Sequence, residues 1–364
     1  MNKIKPRLLR KSKILRYSTL VTITLSTILF IILSFFNVEF DRNLGVTGFF
    51  FGAIQLLYSK LESKNPKLRN VVFLSKSKSS FSQNIYKGLR NTLEINRDIS
   101  VKAIFPEKYG GADDIVSWQI DELKHNTILT KADAIVIIPA KDDVNLWQSL
   151  VALTSKGVTV ICVDVKPTGS FFDSSKLPRP YFISSNFSIG GIFLGEIIRE
   201  ELDKKITSFI GATGPENSWP AVERCSKLLS SIIHIKTFNN SSWVKFDSWD
   251  SECCANILKE KISSLNIKTI DRLLVFAGND KVAIALIRKL PPEICKKIKI
   301  IGYDGLKDES DELVLSKYEE FLATIDTLPI EQGKSAGLII ENIHKGDIPD
   351  FKSHYVKPKI IKKV

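Results

Sequence analysis

From Val71 to Asp304 the chain alternates short apolar runs with longer segments in which apolar residues return every three or four positions. The runs are VVFL from Val71, VKAIF from Val101, AIVII from Ala134, VTVICVD from Val158, YFI from Tyr181, SFIGA from Ser208, LLVFA from Leu273 and IKIIGYD from Ile298. Their length and their content of Val, Ile and Phe predict strands. The intervening periodicity predicts helices over Phe81–Leu93, Trp147–Ser155, Gly190–Leu202, Ala221–Ser230 and Lys281–Leu290. Strands alternating with helices imply a parallel sheet with crossover helices, a doubly wound α/β architecture. No internal repeat interrupts this grammar.

The first sixty residues follow another pattern. Residues 1–16 carry seven basic residues and no acid, and residues 17–38 are 22 residues without a charge, long enough to span a bilayer as a first transmembrane helix. After EFDRN a second apolar segment, 44–60, contains three glycines and is either a shorter second span or an interfacial segment. Lys60, Lys64, Lys67 and Arg69 follow it, whereas Arg42 alone lies between the two segments. Basic flanks stay in the cytoplasm, so the charge pattern predicts a hairpin in a bacterial plasma (inner) membrane with residues 71–364 facing the cytosol. If the second segment does not span, that domain lies outside the cytoplasm.

Composition narrows the function classes. The 364 residues include 52 Lys and Arg against 40 Asp and Glu, a formal charge of +12, but the excess is scattered beyond the N-terminus and no nucleic-acid motif accompanies it. No nucleic-acid partner is expected. Cys162, Cys225, Cys253, Cys254 and Cys295 are odd in number and lack CxxC spacing, which excludes a disulfide framework or a zinc site. His125, His234, His344 and His354 are scattered, GATGPENS from Gly211 lacks the ending of a phosphate loop, and no nucleophile elbow occurs. An enzyme, a cofactor and a bound metal are therefore not expected.

In open α/β sheets ligands bind beyond the carboxyl ends of the strands. Asp164, Asn279, Asp280 and Asp304 stand at such ends, and Phe81 follows the loop after the first. Taken singly, an Asn or Asp there is more often a helix cap than a ligand contact. Their recurrence at successive strand ends reads as a cleft.

SKSSFSQNIYKGLRNTL, ADAIVIIPAKDD, GVTVICVD, ISSNFSIGGIFLGEII, SWPAVERCSKLL, LLVFAGNDKVAIALI, IKIIGYDG and FLATIDTLPIEQGKSAGLII follow one another in an order and spacing that resemble the type I periplasmic binding proteins, the ribose-binding and LacI-like sugar binders. The resemblance implies two doubly wound lobes over residues 71–364, an N-lobe of about 71–184 and 328–355 and a C-lobe of about 185–327 and 356–364. It implies that Asn279 reaches the ligand while Asp280 caps the next helix. It also implies that Phe81 and Trp249 sandwich a sugar ring, that Arg224, Asp164 and Asp304 bind hydroxyls or a carboxylate, and that Tyr303 and Thr327 line the wall. Three positions depart from the family: Ile138 stands for a polar residue, Val165 for an arginine and Thr327 for a glutamine. The expected protein is thus a membrane-anchored binder of a sugar-like small molecule that closes two lobes, acting as a sensor or signalling component. Its alternatives are the extracytoplasmic binding protein of an ABC-type sugar transporter, or a cytosolic-facing effector gated by oligomerisation. Its partners are then the ligand, the membrane and a transporter or signalling membrane protein.

Overall fold

In the computed structural model, residues 68–96, 98–107, 111–167, 179–202, 208–215, 218–232, 241–265, 272–307, 312–350 and 352–363 are described. The apolar segments 17–38 and 44–60 lie outside the described residues, among which no helix is long and apolar enough to cross a membrane. Two six-stranded sheets form. The first contains β1 (Asn70–Leu74), β2 (Ser100–Ile104), β3 (Ala134–Ile137), β4 (Thr159–Val163), β5 (Tyr181–Ser185) and β11 (Ser353–Val356) in the order β11-β5-β4-β3-β1-β2, with every pair parallel. The second contains β6 (Ser208–Thr213), β7 (Ser241–Lys245), β8 (Leu273–Phe276), β9 (Ile298–Ile301), β10 (Phe321–Asp326) and β12 (Lys359–Lys362) in the order β12-β10-β9-β8-β6-β7. Its pairs are parallel except β12, which runs antiparallel to β10.

Among the described residues eight longer helices cover the sheets: α1 (Ser80–Leu93), α2 (Ala112–His125), α3 (Val144–Ser155), α4 (Phe187–Leu202), α5 (Trp219–Ile232), α6 (Ser251–Ser263), α7 (Asp280–Lys289) and α8 (Pro329–Lys345). The central strands β3, β4 and β8 are buried at every position, as expected for parallel strands with helices on both faces. Four apolar clusters fill the spaces between sheets and helices. Edge strands differ: β2, β11 and β12 are mostly exposed or half-buried, and of these β2 alone carries a strand signal in its sequence. Helix α3 starts three residues before the predicted Trp147 because Asp143 caps it, accepting from the Asn145 N–H at 2.9 Å and the Leu146 N–H at 3.1 Å.

Each sheet reverses its winding direction beside its first strand, between β1 and β3 and between β6 and β8, which opens a crevice at the carboxyl ends there. The chain passes between the sheets three times, from β5 to α4, from β10 to α8 and from β11 to β12. Helices α1 and α8 lie close enough that a Cβ on Gly333 would sit 2.0 Å from the Ile85 carbonyl oxygen. Gly333→Ala should therefore cost about 1 to 3 kcal/mol through overpacking against backbone that cannot move aside. A urea-unfolding midpoint equal to that of the parent chain would contradict this packing.

Candidate functional site

At the end of β8 the backbone turns through Ala277 and Gly278, whose φ of 84° is open to glycine, into the Asn279–Asp280 pair. The helix cap expected of Asp280 falls instead on Asn279. The Asn279 side-chain oxygen accepts from the Val282 N–H at 2.8 Å and is the cap of α7. Asp280 is 1% exposed. One carboxylate oxygen accepts from the Thr324 hydroxyl at 2.7 Å, the other accepts from the Leu306 N–H at 2.6 Å, and the Asp280 N–H donates to the Tyr303 carbonyl at 2.8 Å. Asp280 thus joins the ends of β8, β9 and β10. Burial first, then the nearby Asp304 carboxylate, holds its carboxyl well above the ordinary range, against the pull of its hydrogen-bond donors. The reason is geometric: Asp280, the first helical residue, turns its carboxylate toward the ends of β9 and β10, whereas the residue before it reaches the free N–H groups.

Arg224, on α5, is 4% exposed. Its guanidinium carbon lies 4.4 Å from the Tyr303 ring centre and 5.0 Å from that of Trp249, a cation held by two aromatic rings. Its Nε has no hydrogen-bond partner. Trp249 packs against Gly214, where a Cβ would meet the indole at 2.1 Å, and edge-on to Phe246 with centroids 6.3 Å apart. Tyr303 is fully buried and stacks with Phe187 at 6.4 Å, and its hydroxyl has no partner, so burial raises its pKa above the ordinary value.

Asp304 follows β9 in a positive-φ conformation (104°), with its N–H donating to the Ile325 carbonyl at 2.8 Å. Its carboxyl is raised from the ordinary 3.8 to about 6, mainly by burial and secondarily by Asp164, against the opposing charges of Arg224, Lys281 and Lys76. Asp164 and Lys76 belong to the first sheet, so groups from both sheets share one electrostatic environment. Asp164, also at positive φ (73°), is ion-paired with Lys76 at 2.7 Å. Lys76, in the loop after β1, was not among the expected site residues; the SKSKSS stretch that contains it offers no motif beyond its polarity.

The remaining expected residues divide. Phe81 is half-buried on α1 and packs against the apolar cluster of the first sheet. Thr327 is 2% exposed with an unpartnered hydroxyl, and its carbonyl accepts from the Gln332 side-chain amide at 2.9 Å. Ile138 and Val165 are buried members of the N-lobe core. Among the described residues, six buried side chains hold a polar atom without a partner, and all but His344 lie at this cleft or at a crossing next to it: Ser185, Arg224, Tyr303, Thr327 and Gln332. Buried polar atoms are almost always paired in folded chains, so this concentration sets the region apart from the rest of the described residues. No group of three or more His, Cys, Asp or Glu among the described residues could hold a metal ion.

No family model matches the sequence, and no curated protein matches it. Solved structures do. The chain is similar to an ABC transporter periplasmic solute-binding protein from Actinobacillus succinogenes with bound D-allose: TM-score 0.65 and 18% identity, over 81% of this chain and 98% of that one. It is similar to a Caulobacter myo-inositol-binding protein bound to myo-inositol: TM-score 0.63 and 19% identity, over 82% and 94%. A solute-binding protein from Burkholderia graminis in complex with D-arabinose has TM-score 0.64 and 15% identity, over 82% and 97%. These likenesses establish the fold, that of the type I periplasmic binding proteins with two parallel-sheet lobes.

Two outcomes follow from this geometry. Asn279→Ala should lower stability by about 1 kcal/mol through loss of a cap. Asp280→Ala should cost more, about 2 to 4 kcal/mol, because it leaves a backbone N–H and a hydroxyl buried without an acceptor. Urea unfolding of both variants reads the order, and equal costs would refute the role of Asp280 as the junction of three strand ends.

The second outcome concerns pH. The fold favours protonated Asp304, so the group makes no difference below pH 3.8, where it is protonated in both states; stability falls as pH rises toward about 6 and the loss is complete above it. Asp304→Asn removes a loss of up to about 3 kcal/mol near neutral pH. Its unfolding free energy should exceed the parent's near neutrality and converge with it in acid. A parallel pH profile for the two chains would contradict the assignment.

Proposed function

We propose that this chain captures a small polyhydroxylated ligand, a sugar or polyol, by closing its two lobes, and that it serves as the solute-binding component of a membrane transport system. The observation that carries this reading is Arg224, buried between Trp249 and Tyr303 with an unpaired Nε and with Asp304 nearby. A guanidinium presents several donors in one plane, Asp304 and Asp164 accept from hydroxyls, and the aromatic rings offer surface to the C–H faces of a ring. The sugar and inositol complexes among its structural neighbours support the same ligand class. The chain acts by binding and hinge closure, without catalysis. In this reading residues 17–38 tether the domain to the membrane, with the cleft outside the cytoplasm.

A second reading is favoured by the basic residues Lys60, Lys64, Lys67 and Arg69 after the second apolar segment. By that charge pattern the domain faces the cytosol as a ligand-gated sensor or effector. A phosphatase reporter active only outside the cytoplasm, fused at Val364, separates the two: high activity supports solute capture, and inactivity supports the sensor.

The binding reading is tested by thermal shift and calorimetry with D-allose, D-arabinose and myo-inositol. A ligand present at about 100 times its Kd should stabilise the chain by about 2.7 kcal/mol. Arg224→Ala should weaken that binding by about 2 to 5 kcal/mol. Unchanged affinity in this variant would remove the cleft from consideration.

A further inference from the structure

We infer that the loops at the amino ends of the first sheet form a surface that rests on the lipid bilayer, with Ile95, Ile128 and Ile348 entering the headgroup region. The inference rests on the reading that residues 17–38 anchor the chain, and adds to it the face that the anchored domain turns toward the membrane.

Ile95 follows α1 and is 85% exposed, Ile128 lies in the single turn Thr127–Thr130 and is 41% exposed, and Ile348 follows α8 and is 51% exposed. They precede β2, β3 and β11 respectively, so parallel pairing carries all three to one end of the sheet. That is the end opposite the carboxyl-end cleft. A groove of about 940 Å³ opens at the same end, lined in part by Leu68, Leu123 and Ile343 and by the exposed Lys124, Lys131 and Lys156.

Lysines at helix carboxyl ends have a local role, offsetting the helix dipole. Isoleucines at loop tips have none. Loop-tip isoleucines beside exposed lysines suit a surface that places apolar groups a few ångströms below the headgroups while ammonium groups remain among phosphates. Asp98, Asp347 and Asp350 share these loops and Asp133 accepts from the Arg69 and Asn70 N–H groups, so the local charge is mixed and apolar insertion carries the contact.

The position of the chain supplies the occupant. Leu68 stands at this end of the sheet, and only residues 61–67 separate it from the apolar segment 44–60. Fully extended, that connection reaches about 28 Å. Whether segment 44–60 spans the bilayer or lies in its interface, this end is the part of the first sheet held nearest the membrane.

The test uses the full chain in vesicles of phosphatidylcholine with phosphatidylglycerol. Ile95→Cys, Ile128→Cys and Ile348→Cys, each in a Cys253→Ser background, are labelled with an environment-sensitive nitrobenzoxadiazole dye; Leu229→Cys, on α5 of the other lobe and 42% exposed, is the control. Brominated lipids should reduce emission about twofold at the three isoleucine positions, as expected for insertion to the acyl boundary, and leave the control unchanged. Quenching no greater at these positions than at the control, in chains that sediment with the vesicles, would overturn this surface and leave the anchor intact. Recovery of the chain in the soluble fraction would overturn the anchor and this inference together.

Discussion

Because β3, β4 and β8 are buried on both faces, a polar side chain along them would have no partner, and the chain places its polar groups at the strand ends instead. The rest of the molecule depends on this constraint. It gathers Asp164, Asn279, Asp280 and Asp304 at carboxyl termini. Asp280 shows the constraint at its most economical, since one carboxylate receives a hydroxyl and a backbone N–H from two other strand ends. The loops at these strand ends are thereby held from behind by a residue that is itself buried.

The cleft carries groups that cost stability. Arg224 keeps an unpaired donor, Tyr303 an unpaired hydroxyl, and Asp304 a charge that burial disfavours. Each would be easier to accommodate if replaced by an apolar side chain of similar size. On the other side, Lys76 already occupies Asp164 through a 2.7 Å ion pair, so a hydroxyl that approaches Asp164 competes with an ammonium. The two sides therefore differ at their charged groups: the C-lobe holds Arg224 with an unpaired Nε, and the N-lobe holds an ion pair that must be shared or parted.

Much of the architecture was legible because buried parallel strands are continuous apolar runs, and VVFL, AIVII, VTVICVD and LLVFA need no context to be read. The strands β7, β11 and β12 were not, since SSWVK, SHYV and KIIK satisfy one neighbour only and keep polar residues toward solvent. At the strand ends, residue identity marked polar positions, but which member of Asn279–Asp280 caps α7 did not follow from it. Which of two adjacent polar residues caps a helix is set by the direction in which the first turn leaves the strand, a property of the packed structure. Lys76 escaped notice for a related reason: its significance is its 2.7 Å approach to Asp164, 88 residues later in the chain.

The three crossings between lobes also govern how the chain can fold. Strand β11 pairs with β5, placing Ser353 beside Phe182, and α8 packs its Gly333 against α1. The first lobe therefore cannot be completed until β6 to β10 of the second have been synthesised, and its missing edge and helix leave apolar surface open in the interval. Contacts of such sequence separation slow folding because a long loop must close before they form. During synthesis the N-lobe core, with Ile85 and Leu89 of α1 awaiting α8, would be a site for chaperone binding, and the rate at which the last thirty or so residues dock would set the time to the native state.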